Sequence, residues 1–204
     1  MVPVDHRMSM IARARRRALR LLLGLAAVVL TGNLAIVVAT GVARATAPAP
    51  DIHVVGVDHL RALDDRVWRG DAPTREGYRK LAAAGVETVV GLRAERDVIV
   101  DEARLDDLGI RRVHLPIRDG QVPDDTTLRA ALDTMRAADG RVYVHCGAGV
   151  GPTGTVAGAW LVREQHVTPT TALLRNLAVG SPSLEQIVFV GTLERRAPLL
   201  SRGR

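Results

Sequence analysis

From Asp51 onward, short apolar runs alternate with segments whose apolar residues recur every three to four positions. That alternation predicts an α/β fold, a mostly parallel central sheet flanked by helices. His53 to Leu60 and Arg66 to Arg69 read as short first strands, and Pro73 to Leu81 as a capped helix closed by Gly85. Val86 to Leu92 is a strand, Glu95 to Leu108 a helix ended by Gly109, and Ile110 to Ile117 another strand. Asp124 to Ala138 is an amphipathic helix closed by Gly140, with Asp124 and Asp125 suited to cap its positive end. Arg141 to His145 is the next strand, followed by helical patterns at Thr153 to Gln165, Pro169 to Ala178 and Ser183 to Arg196.

The amino-terminal quarter follows a different pattern. No ionisable side chain occurs between Arg20 and Arg44, and residues 18–43 as a helix reach about 39 Å, enough to cross a hydrocarbon core of roughly 30 Å. Five arginines between Arg13 and Arg20 precede this segment and only Arg44 directly follows it, so the positive-inside bias predicts a cytoplasmic amino terminus and an extracytoplasmic domain. The predicted organisation is a basic cytoplasmic segment (1–17), a transmembrane helix (18–43), a linker (44–52) stiffened by Pro48 and Pro50, and one domain (53–204). The alternative is a cleaved signal peptide and a secreted domain, since Ala43-Arg44-Ala45 has a small-x-small form. The apolar stretch exceeds the usual signal-peptide core of about 7 to 15 residues, which favours the anchor.

Charge narrows the partners. The chain carries +6 overall, but residues 1–20 hold six arginines against one aspartate, leaving +1 for everything after them. A folded part without surplus positive charge, and with 2% aromatics, argues against nucleic acid as a partner. The single cysteine, Cys146, excludes an internal disulfide or a Cys-rich zinc site, and the histidines lack metal-ligand spacing, so no metal or other cofactor is expected.

That cysteine lies in Tyr143-Val-His-Cys-Gly-Ala-Gly-Val-Gly-Pro-Thr-Gly154, where a buried strand runs into a glycine-rich loop and then a helix opening near Thr153. Gly147, Gly149 and Gly151 let successive amides turn toward a common centre, and the helix start adds its positive dipole end. Such a cradle suits an oxyanion held beside a thiolate nucleophile. The same letters satisfy G-x-G-x-x-G from Gly149 to Gly154, but the acidic residue that dinucleotide binding needs about 20 positions on is missing, as is the Gly-Lys-Ser/Thr of a Walker loop.

His145-Cys-Gly-Ala-Gly-Val-Gly-Pro-Thr153 resembles the signature of the cysteine-dependent protein tyrosine and dual-specificity phosphatases: His-Cys, five residues, Arg, then Ser or Thr. Trp68-Arg-Gly-Asp-Ala-Pro-Thr74, Gly85 to Arg93 and Leu115-Pro-Ile-Arg-Asp-Gly120 are similar to segments of compact bacterial members. The resemblance implies a phosphotyrosine-phosphatase-like fold, with Cys146 as nucleophile and Asp119 as acid and then base. It also implies His145 as orienter of the loop and the thiolate, Thr153 as the hydroxyl that assists the departing thiolate, and residues Gly147, Ala148, Gly149, Val150, Gly151 and Pro152 as the phosphate loop. Pro152 stands where the family has its arginine, whose planar fork grips two phosphate oxygens. Arg93 and Arg118 are candidates to supply the missing charge. The implied partner is a phosphorylated protein or small phosphate ester, and the expected function is a phosphate monoester hydrolase of reduced activity. The alternative is an inactive pseudophosphatase serving as a phosphoprotein-binding or scaffold module.

Overall fold

The computed structural model describes residues 4–47, 52–94 and 105–194. Its elements are α1 (Val4–Thr46), β1 (Arg61–Ala62), β2 (Val67–Gly70), α2 (Arg75–Ala83), β3 (Val86–Arg93), β4 (Arg111–Ile117), α3 (Asp125–Ala137), β5 (Arg141–His145), α4 (Gly151–Arg163), α5 (Pro169–Val179) and α6 (Leu184–Gly191). The five strands order as β1-β2-β5-β3-β4; β2, β5, β3 and β4 are mutually parallel and β1 is antiparallel at the edge.

Side-chain alternation along the strands feeds two cores. Val142 and Val144 of β5 face a cluster with Leu128 and Leu132 of α3 and Val156 of α4, whereas Tyr143 faces Tyr78 and Leu81 of α2 on the other side. Each helix starts on a side-chain cap where the sequence offers one: Thr74 accepts from Gly77 N–H, Asp124 from Thr127 N–H, Thr168 from Thr171 N–H and Ser183 from Gln186 N–H.

Three expectations need correcting, and a fourth lies largely outside the described residues. His53 to Leu60 is no strand; it forms only an isolated bridge between Val54 and Val57, while β1 lies just beyond it. The polar and charged residues His53, Asp58 and His59 interrupt the apolar alternation, and Val54, Val57 and Leu60 instead join the core that contains Tyr78 and Leu81 of α2. The helix after the cysteine loop opens at Gly151, before Thr153, because Pro152 fits the first helical turn, where its missing N–H has no intrahelical partner. The amino-terminal helix runs through the basic segment from Val4 and continues to Thr46, into what reads as linker. The predicted helix from Glu95 lies outside the described residues except for its end at Leu105 to Leu108, and the rest of the linker and the chain beyond Glu194 also lie outside them.

The last turns of α1 pack on the domain. Ala43 and Thr40 are buried, Thr40 Oγ1 meets Ser181 Oγ at 3.1 Å, and Arg44 Nη2 donates to the Val179 carbonyl at 2.6 Å.

Candidate active site

Four parallel strands end at one edge of the sheet: β2 at Gly70, β3 at Arg93, β4 at Ile117 and β5 at His145. The carboxyl edge of such a sheet is where its loops form a crevice. Here β5 leads into Cys146, a free thiol that is 5% exposed.

Four successive carbonyls, from Cys146 to Gly149, are held from outside the loop. His145 Nδ1 donates to the Cys146 carbonyl at 2.9 Å, Ala72 N–H to Gly147 at 2.9 Å, His59 Nδ1 to Ala148 at 3.0 Å, and Arg69 Nη2 to Gly149. In a planar trans peptide the N–H points opposite to the C=O. The amides of Gly147, Ala148, Gly149 and Val150 are thereby turned to the other side, where Cys146 borders a cavity. Among the described residues none of these N–H groups, nor that of Gly151, has an acceptor. Consecutive backbone donors left without acceptors are suited to an anion. Val150, the residue before α4, provides no side-chain cap, so the helix dipole and first-turn donors add to it.

Two glycines permit this geometry. Gly149 has φ +72°, and a Cβ there would stand 2.5 Å from the Gly70 carbonyl, so only glycine lets the loop lie on β2. At Gly151 a Cβ would stand 2.8 Å from Gln186 Nε2 and 3.2 Å from Asp119 Oδ1.

His59 itself has φ +56°, a left-handed conformation uncommon outside glycine, which aims its ring at Ala148. His145 is fully buried, stacked on Tyr143 with centroids 5.8 Å apart, and its Nε2 lies 3.4 Å from Tyr78 Oη. Its Nδ1 proton is used on the Cys146 carbonyl, so the ring fixes the backbone at Cys146. Tyr143 Oη donates to the Asp71 carbonyl at 2.6 Å; burial raises its phenol well above the usual range and keeps it a donor.

Asp119 is exposed at the turn from Arg118 to Gln121, which is closed by the Gln121 N–H on the Arg118 carbonyl at 3.1 Å, with Gly120 at φ +76°. The turn is tied to the start of α6: Ser183 Oγ donates to the Gly120 carbonyl at 2.6 Å and Gln186 Nε2 to the Gln121 carbonyl at 2.9 Å. Asp119, Cys146, Gly147, Ala148, Val150, Gly151 and Pro152 line one cavity of about 1310 Å³. Thr153 is fully buried on the first turn of α4 with its hydroxyl unpaired among the described residues. Asp124 caps α3, and the Thr127 N–H holds its carboxyl below the ordinary range.

The cations are distributed in a way the sequence does not announce. Arg93 lines the cavity; Arg118 is exposed and lies outside that lining. Arg44, from the end of α1, lines it as well. Beneath the loop, Arg69 is 3% exposed, bonded through Nη1 to Asn176 Oδ1 at 2.9 Å; burial lowers its pKa to about 10. Arg69, His59, Ala72, Ser183, Gln186 and Arg44 are not identified as site residues by sequence reasoning. Only Arg69 leaves a trace there, a charged side chain inside an otherwise apolar strand, which requires partners.

A family model described as Tc-R-P, polymorphic toxin system, DSP-PTPase phosphatase, matches residues 65–166. Among curated relatives, the dual specificity protein phosphatase CDC14AB of Danio rerio is 35% identical over 88 residues, 43% of this chain and 14% of that protein. CDC14C of Homo sapiens is 31% identical over 83 residues, 41% of this chain and 18% of that protein, so the chain spans less than a fifth of the length of either. Solved structures share the fold: P. aeruginosa TpbA in complex with pTyr has a TM-score of 0.64 at 22% identity, covering 78% of this chain and 99% of that one. PTPMT1 in complex with PI(5)P has a TM-score of 0.61 at 20% identity, covering 71% and 100%. With its phosphate-loop motif, its sheet order and a match across half its length, the chain belongs to the DSP-PTPase family of cysteine-dependent dual-specificity-like phosphatases.

Proposed function

We propose that this chain is a membrane-anchored phosphatase that hydrolyses phosphate monoesters through a phosphocysteine, with activity lowered by proline at the arginine position. The observation that carries the reading is the outward anchoring of four successive loop carbonyls, which leaves their amides to bind phosphate oxygens around Cys146. In the first step Cys146 Sγ attacks phosphorus, the bond to the leaving oxygen breaks, and Asp119 gives that oxygen its proton. In the second step water attacks phosphorus as Asp119 takes its proton, the S–P bond breaks, and inorganic phosphate leaves with the thiolate restored. The buried Thr153 hydroxyl is suited to assist that departure. Single donors to developing oxyanions are worth about 2.7 to 4 kcal/mol, so the lost guanidinium lowers the rate by roughly a thousandfold.

Anchoring is supported by the apolar stretch within Arg15–Thr46 and by the arginines before it, which favour an extracytoplasmic domain. The pTyr and PI(5)P complexes of fold neighbours support phosphate carried on a larger molecule as substrate.

Proline at 152 favours a second reading, a pseudophosphatase that binds phosphate without turnover. Phosphate release from p-nitrophenyl phosphate by the full chain separates the two. Turnover abolished by Cys146→Ser establishes the enzyme, whereas phosphotyrosine-peptide binding by calorimetry, without release and unaffected by Cys146→Ser, establishes the binding module.

A further inference from the structure

The cavity over Cys146 has an apolar wall that the chemistry of phosphate transfer does not require. Val28, Val29, Gly32, Ile36 and Val37 of α1 line it together with the phosphate loop. Their spacing follows one stripe of a 3.6-residue helix, and the same stripe continues through Thr40, Ala43 and Arg44, where α1 docks on the end of α5. From Val28 to Arg44 the stripe rises roughly 24 Å. Val28, Val29 and Val37 are 70%, 53% and 61% exposed, so the wall is uncovered.

The lining of this cavity has two characters. Part of the lining is the phosphate loop with Arg44 and Arg93; another part is aliphatic and belongs to the segment long and apolar enough to cross a bilayer. Asn33, the polar side chain on the wall, already donates to the Val29 carbonyl at 2.8 Å. A peptide laid along this wall would leave its own backbone groups without partners, at a cost for each. A molecule with an anionic phosphate at one end and hydrocarbon at the other leaves nothing unsatisfied.

Building on the anchored-phosphatase reading, we infer that the substrate is a membrane lipid bearing a terminal phosphate monoester, its phosphate in the loop and its acyl chain along α1. The anchor helix is then one wall of the site as well as a tether. The reaction is the one already written, with the lipid headgroup oxygen as leaving group, protonated by Asp119.

The test uses the full chain in phosphatidylcholine nanodiscs and three probes: dioleoyl phosphatidic acid in the same bilayer, a soluble phosphotyrosine peptide, and p-nitrophenyl phosphate. Phosphatidic acid is expected to be hydrolysed with kcat/KM at least tenfold above the peptide. A Cβ at Gly32 meets nothing within 4 Å, so Gly32→Leu fills the cavity without disturbing the helix and is expected to lower the ratio of lipid to aryl phosphate turnover about tenfold. Gly24→Leu, equally unobstructed but outside the cavity, leaves that ratio in place. Preference for the peptide, or a ratio indifferent to Gly32→Leu, overturns the lipid assignment while aryl phosphate turnover upholds the phosphatase. Absence of Cys146-dependent release from all three probes overturns both.

Discussion

Arg69 and Gly149 are joined beneath the phosphate loop: the buried guanidinium donates from Nη2 to the Gly149 carbonyl while Nη1 holds Asn176 Oδ1 on α5 at 2.9 Å. One cation thus fixes the turn of the loop and ties it to a helix 107 residues distant in sequence. Arg69→Met leaves both acceptors buried and unpaired, each costing about 1 to 3 kcal/mol. Urea denaturation is expected to show that loss, and Cys146-dependent turnover to fall with it. Arg69→Lys keeps the charge but cannot span both acceptors, so it recovers part of the stability and little of the rate. A lysine variant as active as the parent contradicts the bidentate role.

The loop carbonyls explain why proline is tolerated at position 152. Its neighbours are oriented by bonds to Arg69, His59, Ala72 and His145, none of which passes through residue 152. The turn of the loop is therefore fixed without the side chain at position 152. Pro152→Arg is expected to raise kcat/KM for p-nitrophenyl phosphate by about a thousandfold, the reverse of the loss of one strong oxyanion donor. The gain should vanish in the Pro152→Arg, Cys146→Ser double variant. No gain from the arginine would mean that the cradle does not hold phosphate in line with the sulfur.

Much of this was legible from residue pattern. The strands from β2 to β5, the capped helices and the cysteine loop follow from apolar period, cap residues and glycine spacing, because those are local signals. What escaped is what long-range packing decides. The His53 to Leu60 segment carries strand-like residues but its neighbours give it no ladder. His59, Ala72 and Arg69 reach the loop only because β2 lies beside β5, a pairing with Gly70 opposite His145 that no local pattern encodes. Arg44 joins the cavity only through the docking of α1 on α5.

Asp71 offers a test through pH. Burial raises its carboxyl above the usual range, with Asp58 adding a like charge, although its Oδ1 accepts the Asp58 N–H at 2.7 Å. A carboxyl raised by folding contributes stability that is present below its unfolded value, near pH 4, and lost as pH climbs through the folded value. At pH 7 the ionised Asp71 is therefore a cost. Asp71→Asn retains the acceptor and removes the charge, so its Tm is expected to exceed the parent's at pH 7, the difference closing as pH falls toward 4. A difference that grows in acid would contradict the sign of the shift.

Gly151 couples the acid turn to the phosphate loop. A methyl there would press on Gln186 Nε2 at 2.8 Å and on Asp119 Oδ1 at 3.2 Å. Gln186 has no freedom to yield, since its Nε2 donates to the Gln121 carbonyl and its Oε1 accepts the Ser183 N–H, both at 2.9 Å. Gly151→Ala must push the amide and the turn apart, carrying Asp119 from its place beside the loop. Displacements near 1 Å at a reacting centre cost about a hundredfold in rate. On the proposed acid role of Asp119 the loss is selective: large for an alkyl phosphate, whose leaving oxygen needs a proton, and small for p-nitrophenyl phosphate, whose phenolate leaves without one. Steady-state kinetics on the two esters measure it, with Asp119→Asn as the reference. An equal loss on both would place the damage in the amide cradle and not at the acid.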